Sequence, residues 1–530
     1  MTDQDVLYNG IAIPPEWPPD YGISVENESN VMPVPYLDHI PPVIPIDLGR
    51  QLFVDDFLIE HTDLKRTYHR AEYHPASPVL EPDQPWETDS ECKGYPSPVA
   101  MIFSDGVWYD PVDRKYKMWY MSGYNKSTSY AESVDGIHWK KPVLDVVPGT
   151  NIVYCNTPIS RGSNTIWLDH LEEDPDRRYK MFQRVVAKKR NYRFGIFLSG
   201  DGIHWRDEGL LTPPFSGDRS TAFHNPFRGV WVFSIKQNLF GRRRKYAEVA
   251  DLEQVGGAWE HGDRLPVWVG ADRLDLPHRK LPDVRNRELY NLDAAPYESI
   301  LLGMFTIYPG VPEDRPKINQ VFLGFSRDGF HWHRPDRTPF IGTSDRRGDW
   351  NFGNVQSCGG CCLIVGDLLY FYVSGRAGYP GTSTSGRCST GLATLRRDGF
   401  ASMDAAESEG ELLTRPVRFG GRYLFVNLEA PEGSLRVEIL DSGGVPIEGH
   451  SLDLCEPVEG DSTAGMVSWG NEPDLSGLGG RPVRFRFVLQ NGRFYSFWVS
   501  PDRSGASHGY TAAGGPGLTG ATDTSGKATD

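Results

Sequence analysis

The sequence predicts an all-β protein: a five-bladed β-propeller followed by a C-terminal β-sandwich. Three observations carry this. A five-residue turn motif recurs at nearly constant spacing, a strand–turn–strand element runs in phase with it, and few stretches place apolar residues at helical spacing. At 530 residues the chain exceeds one ordinary core, so two or more domains are expected. Its 14 Trp, 24 Tyr and 25 Phe, set against 57 Gly and 41 Pro, suit many short strands joined by tight turns.

The turn motif is Asp-Gly-(Ile/Phe)-His-Trp, at Asp135–Trp139, Asp201–Trp205 and Asp328–Trp332. Each copy follows a β-like run carrying a serine, Ser133, Ser199 or Ser326. A truncated copy, Asp398-Gly399-Phe400, follows later. The copies begin at 135, 201, 328 and 398. The middle gap is close to two periods, so one copy has decayed, in the region Ala250 to Trp259, and five units of roughly 65 residues result. The Asp accepts bonds from the turn backbone, the Gly supplies positive φ, and the Trp packs between sheets. These His and Trp residues therefore read as structural.

The second element is Trp108-Tyr-Asp-Pro-Val-Asp-Arg-Lys-Tyr-Lys-Met-Trp119, a strand, a turn and a strand. Trp167–Met181 repeats it with a longer turn, Phe223–Trp231 is a third version, and Ala295–Ile300 and Val365–Leu368 take its place in the last two units. Four short antiparallel strands per unit, without helices, describe a propeller blade.

Outside the blades, residues 1–48 are Pro-rich and read as an extended arm. Leu52–Ile59 reads as a strand placed to close the ring against the last blade, and the propeller spans 49–405. Residues 406–501 alternate apolar and polar side chains, as in Leu435–Leu440 and Val483–Val488, which predicts a sandwich. Residues 502–530 are rich in Gly, Ser, Thr and Ala and read as disordered.

The net charge of −15 argues against nucleic acid or an anionic membrane surface as the main partner. Arg242-Arg243-Arg244-Lys245 is short enough for a solvated hairpin tip. Seven cysteines show no disulfide spacing, and Cys358-Gly-Gly-Cys361-Cys362 lacks the partners of a zinc set, so buried strand residues are expected. No secretory leader and no long apolar span is visible, so the default expectation is a cytoplasmic protein. No cofactor is expected; a structural calcium ion in the central channel would suit such a fold, though no loop specifies one.

Propellers bind ligands where their innermost strands begin. Asp110, Asp169 and Asn225 lie at the other end of those strands and read as turn formers. Aligned on that turn, Asp218 and Glu288 each lie seven residues before it and so occupy equivalent funnel positions in blades three and four. Asp218 is followed by Arg219, and Glu288 by Leu289-Tyr290-Asn291. Blade one offers Asp105, blade two Asn164, and blade five Asp349, Trp350 and Asn354; Glu87 and Glu91 precede blade one. Two carboxyl groups on adjacent blades suit acid–base or nucleophilic cleavage of a glycosidic bond. The candidate catalytic residues are thus Asp218, Glu288 and Asp105, and the candidate substrate-binding residues are Arg219, Tyr290, Asn164, Asp349, Trp350 and Glu87. Asp218 and Glu288 read equally as partners of Arg219 and Arg287 that only hold a blade, Asp105 as an Asp-Gly turn, and His224 as a core histidine.

On the blade count, the Ser-x-Asp-Gly-x-His-Trp turns and the Asp-Pro-x-x-x-x-Tyr-Lys-Met hairpins, residues 50–405 resemble the five-bladed propeller glycosidases of the invertase/levanase and arabinanase/xylosidase groups. The chain is also similar to bacterial proteins grouped with family 32 glycosyl hydrolases, through Phe53-Val-Asp-Asp-Phe-Leu-Ile59, Asp218-Arg-Ser-Thr221 and Pro296-Tyr-Glu298. It departs from the invertases in lacking their Asn-Asp-Pro-Asn and Arg-Asp-Pro motifs, and Glu91-Cys92 comes too early to be their acid. No catalytic residue therefore carries over by motif. The resemblance implies a glycoside hydrolase for a small oligosaccharide or terminal sugar, a furanoside such as a fructoside or arabinoside among them. The competing readings are a propeller glycoside phosphorylase, which a funnel cluster of Arg219, Arg285 and Arg287 would favour, and a non-catalytic carbohydrate-binding propeller.

Overall fold

The computed structural model describes residues 5–24, 26–27, 29–155, 161–162, 164–188, 191–238, 241–282, 287–470 and 472–526, with backbone alone at 186–188. The protein is an all-β five-bladed propeller joined to a β-sandwich. Blade two is the simplest unit: Asn164–Leu168, Tyr179–Lys188, Asn191–Ser199 and Arg206–Leu211 pair in chain order from the axis outward. Blade three repeats this with Thr221–Asn225, Val230–Asn238, Arg242–Val249 and Val267–Val269. Blade one (Lys115–Ser122, Ser127–Ser133, Ile152–Cys155) and blade five (Leu368–Arg376, Cys388–Arg396) each split the innermost strand in two, at Ala100–Met101 with Val107–Asp110 and at Asn354–Gln356 with Leu363–Val365. Blade four pairs Glu288–Glu298, Ile300–Gly310 and Ile318–Ser326.

The repeated turn works as its chemistry requires. Asp135, Asp201 and Asp328 accept the backbone N–H two and three residues on, at 2.8–2.9 Å, and hold the motif histidine at 2.6–2.7 Å. An aromatic residue from the neighbouring blade then donates to each turn: Tyr372 Oη to Gly136 O (2.6 Å), Trp119 Nε1 to Gly202 O (2.7 Å) and Trp268 Nε1 to Phe330 O (2.8 Å). The motif recurs because it is the seam between blades. In the region of the decayed copy, Asp251 instead accepts from Glu253 N at the start of a short 3-10 helix, Leu252–Gly257. Asp110, Asp169 and Asn225 are turn formers, accepting from Val112, Leu171 and Phe227 N.

Ring closure differs from expectation. Leu52–Ile59 does not join the last blade: Gln51–Leu52 and Ile59–Thr62 pair with strands of the sandwich, as does Lys65–Tyr68. The strand that completes blade five is the short Glu72–Tyr73, beside Ala393 and Thr394 of Cys388–Arg396. The sandwich therefore combines N-terminal strands with those from Ala401–Ala405 to Gly492–Ser500, and its core includes Phe53, Phe57, Phe485, Phe487, Phe494 and Phe497.

The C-terminal segment departs from the disorder that its composition suggests. Through residue 526 it packs on the propeller, with Tyr510–Thr511 paired to the end of Glu288–Glu298 and Ala506, Ala513 and Leu518 buried. A Cβ on Gly515 would come within 1.7 Å of Ile364 O, so a small residue is what lets the tail lie against the blade. Asp523 meets Arg397 at 2.9 Å inside a buried network that joins the propeller, the sandwich and the C-terminal segment. Arg397 also reaches Glu298 (3.2 Å), Arg50 contacts Glu298 and Asp398 (3.5 and 3.0 Å), Ser496 donates to Asp398, and Ser507 donates to Glu298. The truncated Asp398-Gly-Phe turn thus serves the sandwich in place of a next blade.

Candidate functional site

The innermost strands of blades two to four begin at Asn164, Thr221 and Glu288, so the residues at these starts meet at one end of the ring. Asp218 and Glu288 both lie there. Asp218 precedes Thr221–Asn225, its side chain is half exposed, and it pairs with Lys236. Burial works against its charge, but Arg219, Lys236 and Arg184 outweigh it and hold the carboxyl well below the usual range. An open cavity of about 740 Å³ passes over it, lined by Arg184, Tyr192, Lys236, His261 and Asp263. Glu288 pairs with Arg242, whose guanidinium lies 5.1 Å from the Tyr290 ring centre. Lys236 feels Asp218, Arg242 and Tyr290 together, so the two carboxylates share one cationic wall.

Tyr290 is buried against Lys317, whose Nζ donates to its Oη at 2.9 Å. Burial pushes the phenol up, but Lys317, Arg219 and Arg376 overcome it and bring it to about 6. Burial chiefly, with Arg376 and Arg219 adding to it, lowers Lys317 to about 8. Arg219 is buried with its guanidinium carbon 3.8 Å from the Phe103 ring centre, and Arg376 stands 5.7 Å from the same ring. Arg244 supports this layer by donating to the carbonyls of Arg219 and Tyr290.

Asp105 and Asn164 lie deeper. Asn164 Nδ2 donates to Asp105 at 2.9 Å, Arg161 pairs with the same carboxylate, and Asp105 is wholly buried. Asp105 is therefore enclosed, its carboxylate held by Asn164 and Arg161. Beside it, Asp293 accepts from Asn291 Nδ2 (2.7 Å) and Cys358 N (2.9 Å). Burial raises Asp293 to about 6 against the opposing pull of Cys358 N, Ser104 and Arg244.

Three expected binding residues lie elsewhere. Glu87 is fully buried: it accepts from Tyr120 Oη, Asp83 N and Gln84 N and pairs with Lys141, so it builds the first blade's wall and does not reach the mouth. Asp349 is held in its own loop by Arg346 and Ser344. Trp350 lies across blade five, 5.4 Å from the Tyr73 ring, in space that Gly375 and Gly391 leave open, for a Cβ on either would come within 2.0 Å of the indole. It is a packing residue of that sheet. Arg285 lies outside the described residues. Among the described residues no three His, Cys, Asp or Glu side chains gather as a metal ion would need.

Lys317, Arg376, Arg242 and Asp293 were not singled out from the sequence as site residues. Arg242, Lys317 and Arg376 lie at strand ends remote in sequence, and only ring closure brings them together. Asp293, two residues beyond the Tyr290-Asn291 pair, was the nearest to legible.

No protein-family model matches the chain, and no curated protein does. Several solved structures are similar to it. An N-acetylgalactosamine deacetylase from F. plautii, in complex with blood group B trisaccharide, is 12% identical over 61% of this chain and 97% of its own, with a TM-score of 0.40. A thermostable family-43 glycoside hydrolase is 12% identical over 57% of this chain and 91% of its own, at 0.39. An exo-beta-1,3-galactanase from Phanerochaete chrysosporium, solved with galactose, is 8% identical over 78% of this chain and 99% of its own, at 0.35.

Proposed function

We propose that this protein is a glycoside hydrolase acting on a terminal sugar or short oligosaccharide at the funnel end of the propeller. The observation that carries the reading is the arrival of Asp218 and Glu288, from successive blades, at one mouth whose wall is shared by Lys236 and Arg242. Asp218, kept ionised by its cations, suits the attacking carboxylate or the base that activates water. Glu288 stands as the second carboxyl of the pair and serves the leaving oxygen once substrate displaces Arg242 from it. The half-exposed Asp218 and the open cavity above it give a sugar access from solvent.

The test is a panel of aryl glycosides, headed by the fructosides and arabinosides that the sequence resemblance implies. Asp218→Asn and Glu288→Gln are each expected to lower kcat/KM at least about 100-fold without altering the circular dichroism spectrum. Full activity in both variants sinks the assignment. Binding of sugars with no turnover of any member would make the protein a carbohydrate-binding propeller instead.

A further inference from the structure

Arg219, Arg376 and Lys317 come from blades three, five and four to a layer bounded by Phe103 of blade one and Tyr290 of blade four. Both arginines are at least nine-tenths buried, with 5% and 2% of their surface exposed. Among the described residues Nε and Nη1 of Arg219 and Nε and Nη2 of Arg376 have no acceptor, while Arg376 Nη1 donates to Ser385 Oγ at 2.7 Å. Among the described residues none of the three cations has a carboxylate within ion-pair distance. The mouth's carboxylates are taken up by others: Asp218 by Lys236, Glu288 by Arg242 and Asp105 by Arg161. Arg219 acts on Asp218 only through its field.

Composition does not account for this. The chain as a whole is acidic, at −15, yet three cations crowd around one phenol, brought down to about 6, which offsets at most one of their charges. Buried guanidinium N–H groups without acceptors are costly, and like charges in a dry site add to the penalty. A guest with several acceptor oxygens and negative charge relieves both. Planar guanidinium groups match carboxylate and phosphate oxygens, and a lysine adds a point charge.

We infer that the floor of the funnel is an oxyanion subsite, in which Arg219, Arg376 and Lys317 receive the carboxylate of an acidic sugar or an inorganic phosphate. The inference rests on the glycosidase reading for its place at a substrate mouth, and it narrows the substrate to one that carries or is accompanied by an oxyanion. With a uronic acid the subsite anchors the sugar being cleaved. With phosphate the reaction becomes phosphorolysis. A phosphate oxygen then forms the new bond to the anomeric carbon as the bond to the leaving oxygen breaks, and that oxygen takes the proton from the funnel acid, leaving a sugar phosphate and a free alcohol.

The experiment is calorimetric titration of the full chain at constant ionic strength with potassium phosphate, galacturonate and galactose. Phosphate or galacturonate is expected to bind at least about 10-fold more tightly than galactose. Phosphate alone binding identifies the co-substrate, and galacturonate alone identifies the sugar acid. Arg219→Met and Arg376→Met are expected to weaken that binding at least 10-fold, with Arg376→Lys recovering part of it. Thermal melts of both Met variants report their folding; removing one of the crowded cations leaves Tm unchanged or raised. Equal binding of galacturonate and galactose with no response to phosphate overturns the inference, as does anion binding unaltered in the folded variants. Anion binding that persists while no aryl glycoside is cleaved leaves the subsite standing and removes the hydrolase reading.

Discussion

Asp293→Asn is expected to stabilise the protein at neutral pH and to leave it unchanged in acid. Asp293 is 4% exposed, and one of its oxygens accepts both Asn291 Nδ2 and Cys358 N. An asparagine oxygen can accept the same two bonds, with the amide nitrogen standing where the protonated acid's hydroxyl would. Burial raises the folded pKa from 3.8 to about 6, so the native state holds a proton that the unfolded chain has released. The group's contribution is therefore fully present below pH 3.8 and is lost as pH rises through 6. A shift of about 2 units at about 1.36 kcal/mol each sets the loss at about 3 kcal/mol. That figure is an upper bound, because the Asp293 charge also steadies the buried Arg244. Urea unfolding of wild type and variant from pH 4 to pH 8 reads this directly. The advantage of the variant should be near zero at pH 4 and grow to about 2–3 kcal/mol at pH 8. A difference that does not vary with pH, or a variant less stable at pH 8, refutes the assignment of a buried, proton-holding acid.

Two further substitutions test the packing logic. Gly202→Ala puts a Cβ 2.4 Å from Trp119 Cζ2 at a residue with φ of +78°, breaking the seam between blades one and two. It should lower Tm clearly more than Gly209→Ala, where φ is +73° and nothing lies within 4 Å, so only the backbone cost of about 1–2 kcal/mol applies. Trp350→Ala should cost about 3 kcal/mol in unfolding measurements while leaving sugar binding by the folded protein unchanged, whereas a loss of sugar affinity without destabilisation would return Trp350 to the binding surface.

The propeller was legible because its seam is a local device: five consecutive residues hold the turn, and the same residues receive the neighbouring blade's aromatic donor. The expectation that Asp218 and Glu288 face the same end of the ring came from that periodicity. Features that depend on the third dimension were not legible. Leu52–Ile59 carries the same apolar signal whichever sheet it enters, and the pairing partner is set by the arrival of Gly492–Ser500. Trp350 beside Asp349 reads like a sugar platform, and only the two glycines on neighbouring strands reveal where the ring lies. The tail's small residues look like flexible linker, yet smallness is what close packing on a blade requires. Lys317 and Arg376 gave no signal because their meeting with Arg219 depends on ring closure.

The sandwich takes strands from both ends of the chain, and this bears on how the protein is made. Gln51 pairs with Phe497, which is synthesised much later. At about 5–20 residues per second, the roughly 450 residues between them delay that pairing by on the order of 20–90 s. Throughout that interval Phe53 and Phe57 have no sandwich core to enter, and Arg397 awaits Asp523 for longer still. The nascent chain thus carries sticky, half-built edges until Phe497 has emerged, and loss of either set of sandwich strands should harm solubility before it harms any blade.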